Sequence, residues 1–219
     1  MNNKTLVIIP AYNEHENIAK VIASLKKVGF ENVLVIDDGS GDNTGIMALE
    51  AGAKVIAHPI NMGVGAGTRT GFVYALDKGF DHVITFDGDG QMRSEDAVRI
   101  YQEAQKGYDF VYGCRDFNTP NTPRMRKITN WLADTITAVL SGKIVRDTQS
   151  GLKCVNGDLL RKMNLRSTGY SICSELIIES LKNGVTPKPV KIDAIYTKES
   201  LKKGQKISNS FRVVKELSG

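Results

Sequence analysis

The apolar run Val83-Ile84-Thr85-Phe86 ends in Asp87-Gly88-Asp89-Gly90-Gln91, two carboxylates and an amide separated by residues with almost no side chain. Carboxylates two residues apart at a strand end repel each other, and a nearby cation offsets that repulsion. Oxygen donors alone, with Gln91 supplying a carbonyl, suit Mg2+ or Mn2+ and not zinc. Such ions take one or two protein carboxylates and complete their shell with water and substrate phosphates. The chemistry this spacing suggests is a divalent ion holding a diphosphate.

Three other apolar runs close in a similar way. Thr5–Ile9 leads to Pro10-Ala11-Tyr12-Asn13-Glu14, Val33–Ile36 to Asp37-Asp38-Gly39-Ser40, and Lys54–His58 towards Asn61-Met62-Gly63. In an open parallel sheet, ligands bind beyond the carboxyl ends of the strands. Four such tips would bring an aromatic ring, several carboxylates and flexible backbone to one edge. Asn13 and Asp38 serve equally well as helix-cap or Asx-turn residues. The glycines of Gly63–Gly71 do not follow the G-x-G-x-x-G spacing and come after the third run, not the first, so they are read as permitting close backbone approach and not as a dinucleotide fingerprint. His15, His58 and His82 are read as structural.

The elements that must position these tips alternate along the first 115 residues. TLVII, NVLVID, KVIAH, HVITFD and FVYG are β-branched runs separated by helix-like segments, which predicts a doubly wound, mostly parallel sheet of the α/β class. Asn13 with Glu16 three residues on predicts a capped helix start, continued by Ile18, Val21, Ile22 and Leu25 at helical spacing. Beyond Arg115, DFNTPNTP reads as a loop. Met125, Ile128, Thr129, Leu132, Ile136, Val139 and Leu140 then form the stripe of a long amphipathic helix. A short strand follows DTQSG, a helix spans SICSELIIESLKNG, and TPKPVKIDAIY reads as an edge strand bearing proline. The expected organisation is one domain over 1–196 and a basic amphipathic tail over 197–219.

The chain has 219 residues, 41% of them hydrophobic, and no apolar run of the about 18 residues needed to cross a bilayer. No signal-peptide pattern opens it, so an intracellular protein is expected. Its three cysteines fall in no CxxC spacing, and buried reduced thiols are expected. Residues 1–110 carry 10 basic and 15 acidic side chains, whereas 111–219 carry 19 and 9. A basic second half suits nucleic acid, an anionic membrane or a phosphorylated substrate, and equally suits simple solubility.

In order, PAYNE, DDGS, NMGVGAGTRTG, DGDGQ, YGCRD and RDTQSGLK resemble the family 2 glycosyltransferases of the GT-A fold. Within them the chain is similar to the polyprenyl-phosphate (dolichyl-phosphate) glucosyl- and mannosyltransferases, over nearly all of residues 5–200. The resemblance implies that Pro10, Tyr12 and Glu14 line the nucleobase and ribose pocket, with Asp38 reading the base and Asp37 beside it. It implies that Asp87 contacts the donor sugar or ribose, and that Asp89 and Gln91 hold the Mg2+ or Mn2+. Arg115 and Arg126 or Arg124 would bind donor or acceptor phosphate, with Ser150, Glu175 and the tail's Lys202 on the acceptor side. Leu152 stands where an aromatic is usual and Val64 where a lysine is frequent.

The implied reaction is inverting transfer of a sugar from UDP-glucose, a UDP-N-acetylhexosamine or GDP-mannose to a polyprenyl phosphate, supplying a lipid-linked sugar for glycan assembly such as protein glycosylation. A phosphate acceptor with a second pKa of about 6 is largely ionised at neutral pH and needs no base. A saccharide or protein hydroxyl, the alternative acceptor, would need one, for which Asp147 is the best placed. A nucleotide-sugar-binding module without turnover is the other alternative. The expected partners are the donor, the lipid phosphate and an anionic membrane surface, with no nucleic acid. A homo-oligomer is compatible with the sequence. The expected location is cytoplasmic, held peripherally at the inner face of the membrane.

Overall fold

A computed structural model describes residues 4–116 and 124–193. Seven strands form one sheet in the order β3-β2-β1-β4-β6-β5-β7. The five runs of the first half become β1 (Thr5–Ala11), β2 (Val33–Asp37), β3 (Lys54–Ala57), β4 (His82–Thr85) and β5 (Phe110–Arg115). The strand after DTQSG is β6 (Lys153–Asn156), and β7 (Lys188–Ile192) completes the set. β1, β2, β3 and β4 run parallel, whereas β6 lies antiparallel between β4 and β5. β7 pairs parallel with β5 at the sheet margin, where Pro189 removes no ladder bond that a central strand would need.

The inner strands β1, β2, β4, β5 and β6 are largely buried, which is why β1, β2 and β4 read as continuous β-branched runs, whereas the marginal β3 and β7 are partly exposed. Val7, Ile9 and Ala11 of β1 enter one apolar cluster with α1 (Ile18–Lys27), α2 (Thr44–Glu50) and α4 (Ser94–Ala104). Leu6 and Ile8 enter the other, with α3 (Val64–Asp77), α6 (Gly157–Lys162) and α7 (Ile172–Lys182). This alternation is the two-residue period of a strand. The described cysteines are free thiols, as the sequence suggests, and burial pushes that of Cys154 up to about 12.

Two helices depart from expectation. α1 buries Ile18, Val21, Ile22 and Leu25 as read, but it starts at Ile18 and not at Asn13. Asn13 adopts a positive φ of 55° instead, the left-handed region that asparagine tolerates. The second departure is in α5 (Arg124–Ser141), where Thr129 of the expected stripe is buried and Leu132 and Ile136 are half-buried, but Ile128, Val139 and Leu140 are exposed while Asn130, Ala133 and Thr137 are buried. The helix is turned part-way about its axis relative to that stripe, and it brings polar side chains against the protein.

Candidate active site

β1, β2 and β4 are neighbours in register, with Ala11 opposite Asp37 and Ile8 opposite Thr85, so their carboxyl ends reach the same edge. The loops beyond β1 and β2 are tied together. Asn13 Oδ1 accepts from the Gly41 amide (2.9 Å), the Asn13 amide donates to Ser40 Oγ (3.0 Å), and the Glu14 amide donates to Thr44 Oγ1 (2.8 Å). Pro10 and Glu14 are half-buried at this edge and Tyr12 is exposed. Asp37 Oδ1 accepts from the Ser40 amide at 3.0 Å.

Asp38 was expected to read the base, but here it is buried and its carboxylate turns to its own protein. Oδ1 meets His58 Nδ1 (2.7 Å) and accepts from the Met62 amide (3.0 Å), while Oδ2 accepts from the Gly63 amide (2.8 Å). His58 Nε2 continues to Thr70 Oγ1 at 3.0 Å. The task this geometry gives Asp38 is to shape the loop between β3 and α3. His58 is the buried structural histidine the sequence suggested.

The glycines that open α3 have the bland explanation. A Cβ on Gly65 would strike the backbone of Ser167–Gly169, and the Thr168 carbonyl accepts from the amides of Gly65 and Ala66. What approaches is a loop of the protein itself.

At the tip of β4 the chain curls on itself. The Asp87 amide donates to Met92 Sδ (3.4 Å), the Gln91 amide donates to Asp89 Oδ1 (3.0 Å), and Gly90 takes a φ of 74°, the left-handed region that favours glycine. Gly88 packs on Ile9, Ala11 and Ile18, so its missing side chain makes room for the core and not for a ligand. Burial, and then the charges of Asp89 and Glu14, push the Asp87 carboxyl up to about 6, against the opposing pull of Arg115 and Lys153. A carboxylate whose proton affinity is raised by a neighbouring carboxylate belongs to a donor pair that a divalent ion would relieve. Among the described residues no cluster of three or more acidic, histidine or cysteine side chains surrounds a point. Mg2+ or Mn2+ does not require one when a substrate diphosphate completes its shell. Asp89 and Gln91 therefore fit the ion, as partial ligands.

Three residues here escaped the sequence reading. A Cβ on Gly151 would overlap the Asp87 carboxylate, so this glycine makes the space that Asp87 occupies. Lys153 is fully buried in the middle of the sheet, and its ammonium donates to the carbonyls of Thr148 and Ser150. Tyr170, just before α7, is 48% exposed as a residue, yet partial burial of its hydroxyl, and then the charges of Asp87, Asp89 and Glu14, raise its pKa. Gly151 and Lys153 lie within RDTQSGLK without a role that the motif assigns them, Tyr170 stands outside any motif, and only tertiary placement marks the three. Replacing Gly151 with alanine is expected to lower turnover by roughly 100-fold while thermal unfolding shifts little, because a side chain there misplaces Asp87 without filling the core. Parallel rate and melting measurements test this, and an unchanged rate would mean that the position of Asp87 is unimportant.

At the end of β5, Arg115 is gripped by Asp147. The Arg115 amide and Nε donate to Asp147 Oδ2 at 2.7 and 2.9 Å, and Nη2 donates to Oδ1 at 2.6 Å. Asp147 is 2% exposed and sits at a φ of 51°. Asp134 of α5 fixes that turn, accepting from the amides of Asp147 and Thr148, both at 2.9 Å, and from the Thr148 hydroxyl at 2.9 Å. Asn130 Nδ2 reaches Asp147 Oδ1 at 3.4 Å. These contacts explain the rotation of α5, whose polar residues are needed on the inside. Asp147, the expected base for a hydroxyl acceptor, instead orients Arg115. Both of its oxygens are engaged and it is shut away from a substrate.

The remaining expectations divide. Glu175 does not reach towards an acceptor, since its two oxygens accept from the amides of Arg166 (2.8 Å) and Ser167 (3.0 Å) and so hold the loop that covers α3. Ser150 is buried inside the 147–151 loop, and its hydroxyl has no partner among the described residues. Arg124 and Arg126 stand in the first turn of α5, their side chains outside the described residues, and Lys202 with the rest of the tail lies outside them too. A cavity of about 920 Å³ opens between α5, the end of β5, the 144–147 loop and β7, lined by Arg115, Lys127, Trp131, Ile144, Arg146 and Lys191 among others.

The described helices include none long and apolar enough to cross a membrane. A family model described as Glycosyl transferase family 2 matches residues 6–165. The chain is 34% identical to the UDP-N-acetylglucosamine–dolichyl-phosphate N-acetylglucosaminyltransferase of Methanococcus voltae, over 94% of this chain and 92% of the relative. It is 29% identical to the polyprenol monophosphomannose synthase of Mycolicibacterium smegmatis, over 86% of this chain and 76% of that one. Among solved structures, glucosyl-3-phosphoglycerate synthase from Mycobacterium tuberculosis, in complex with Mn2+, uridine-diphosphate and glucosyl-3-phosphoglycerate, matches with a TM-score of 0.77. That match covers 97% of this chain and 78% of the other at 21% identity, a likeness of fold. With its carboxylate pair at the tip of β4 and a mostly parallel sheet behind it, the chain belongs to glycosyl transferase family 2 and is a glycosyltransferase of the GT-A fold.

Proposed function

We propose that the protein transfers a sugar from a nucleotide-sugar to a polyprenyl phosphate, with inversion at the anomeric carbon, over a catalytic domain spanning 1–196. The observation that carries this reading is the cavity beginning at Arg115. Arg115, Lys127, Arg146 and Lys191 line it together with Asp116, Asp134 and Asp147, Asp147 pairing with Arg115 and Asp116 with Lys191, so that basic side chains exceed acidic ones by one, a balance that favours an anionic acceptor. The names of the Methanococcus and Mycolicibacterium relatives support a lipid phosphate. The engagement of Asp147 by Arg115 argues against a hydroxyl acceptor, for which a free base is needed.

Pro10, Tyr12 and Glu14 receive the nucleobase and ribose, beside Asp37 and a loop shaped by Asp38, while Asp87 meets the sugar or ribose. An acceptor phosphate oxygen attacks the anomeric carbon, the bond from that carbon to the diphosphate breaks, and the nucleoside diphosphate leaves. The acceptor, already ionised at neutral pH, hands no proton to the protein. Arg115, held rigid by Asp147, contributes fixed positive charge where the phosphates meet. A bound Mg2+ or Mn2+, held by Asp89 and Gln91, would supply Lewis-acid stabilisation of charge on the leaving diphosphate. The test is incubation with polyprenyl phosphate, Mn2+ or Mg2+ and each of UDP-N-acetylglucosamine, UDP-glucose and GDP-mannose, followed by lipid extraction. UDP-N-acetylglucosamine is the donor expected to yield labelled lipid, and no labelled lipid from any donor would refute the assignment.

The raised pKa of Asp87 has a consequence for stability. The folded protein keeps a proton on this carboxyl up to about pH 6, whereas the unfolded chain releases it near the ordinary value of 3.8. Folded-state stability therefore falls as pH rises across that window, by on the order of 2 to 3 kcal/mol. Urea unfolding between these pH values in the presence of a chelator is expected to show the decline, and Asp87→Asn to abolish it.

A further inference from the structure

We propose that the outward face of α5, with the turn that follows it, seats the protein on an anionic membrane surface, an inference that rests on the lipid acceptor proposed above. Trp131 is 67% exposed, Val139 77% and Ile144 88%, and Ile128 and Leu140 are exposed beside them. Scattered exposed apolar residues need no explanation, but a run of them along one helix face, edged by charge, marks an interaction surface. The polar side of α5 is committed inward to the 147–148 turn, so the helix cannot roll over to hide the apolar one.

Charge selects the occupant. Lys127, Lys143 and Arg146 are exposed along this surface, in the half of the chain that carries 19 basic and 9 acidic side chains. An apolar stripe bordered by cations fits headgroups that are negative and acyl chains just beneath them. A second copy of the chain would bring the same cations against each other. Trp131 and Ile144 also line the cavity that contains Arg115. The face is therefore continuous with the cavity mouth, and a lipid phosphate reaches Arg115 while its chain remains in the bilayer.

The protein carries its own reporter, because Trp131 is the single tryptophan in the sequence. Vesicles containing phosphatidylglycerol are expected to shift its emission to the blue and to sediment the full-length protein. Phosphatidylcholine vesicles are expected to do so far less. Ile128→Glu and Val139→Glu, at exposed positions outside the cavity, are each expected to weaken vesicle binding by about tenfold or more. Binding retained by both variants with an unshifted emission would place the contact elsewhere in the chain and overturn the proposal. An emission shift that follows protein concentration without vesicles, together with a dimer in ultracentrifugation, would assign the face to a second copy and also overturn it. Transfer to a short, water-soluble isoprenyl phosphate without vesicles tests the acceptor reading separately. Both variants should support that transfer at the wild-type rate, and vesicle binding is read without turnover.

Discussion

Replacing Asp89 with asparagine is expected to lower sugar transfer by roughly 100- to 1,000-fold, the size of effect that follows loss of one well-placed electrostatic group at a leaving oxygen. The substitution keeps an oxygen that can accept from the Gln91 amide, so the curl of residues 87–91 is retained. It removes the charge next to Asp87, one of the causes that raise the Asp87 pKa. The variant should consequently be as stable as the parent or more so at neutral pH while nearly inactive. Calorimetric titration of UDP with and without Mn2+ separates the causes, the ion-dependent part of the affinity being the part lost. A variant that is both inactive and strongly destabilised would show that Asp89 supports the fold instead of the diphosphate.

Asp147→Ala is expected to destabilise the protein by about 3 to 5 kcal/mol, the usual result of breaking a buried ion pair from one side. The guanidinium of Arg115 would lose two hydrogen bonds to the carboxylate and its backbone amide a third, and the backbone would lose a residue tolerant of a φ of 51°. Asp147→Asn keeps most of the geometry and should cost much less. Pairing Asp147→Ala with Arg115→Met should recover part of the stability, because no charge is then left buried alone. Urea unfolding of the single and double variants measures this coupling. Additive losses would mean that the pair is not a unit, and activity lost without any loss of stability would return Asp147 to a direct role in proton transfer.

Much of the molecule was legible from the order of residues. Hydrophobic runs closing in Glu14, Asp37 and Asp87 fixed where strands end, and the burial of Ile18, Val21, Ile22 and Leu25 followed from spacing alone. The short strand after DTQSG was legible as a strand but not as an antiparallel insertion between β4 and β5, since its pairing is decided by residues far away in sequence. Asp147 and Glu175 were legible as acidic residues in suggestive positions, but their partners were not. A carboxylate beside a phosphate and one clamping a loop look the same until the donors around them are placed.

α5 marks the boundary most clearly. Periodicity by itself determined that residues after 123 form an amphipathic helix and that the strand tips carry donors suited to a cation and a diphosphate. It could not determine which side of the helix faces inward, because a polar stripe and an apolar stripe are both periodic. The tertiary structure decided it through Asp134 and Asn130. Their bonds to the turn at Asp147 outweigh the cost of leaving Trp131 and Val139 exposed, and the buried turn donors would otherwise go unpaired.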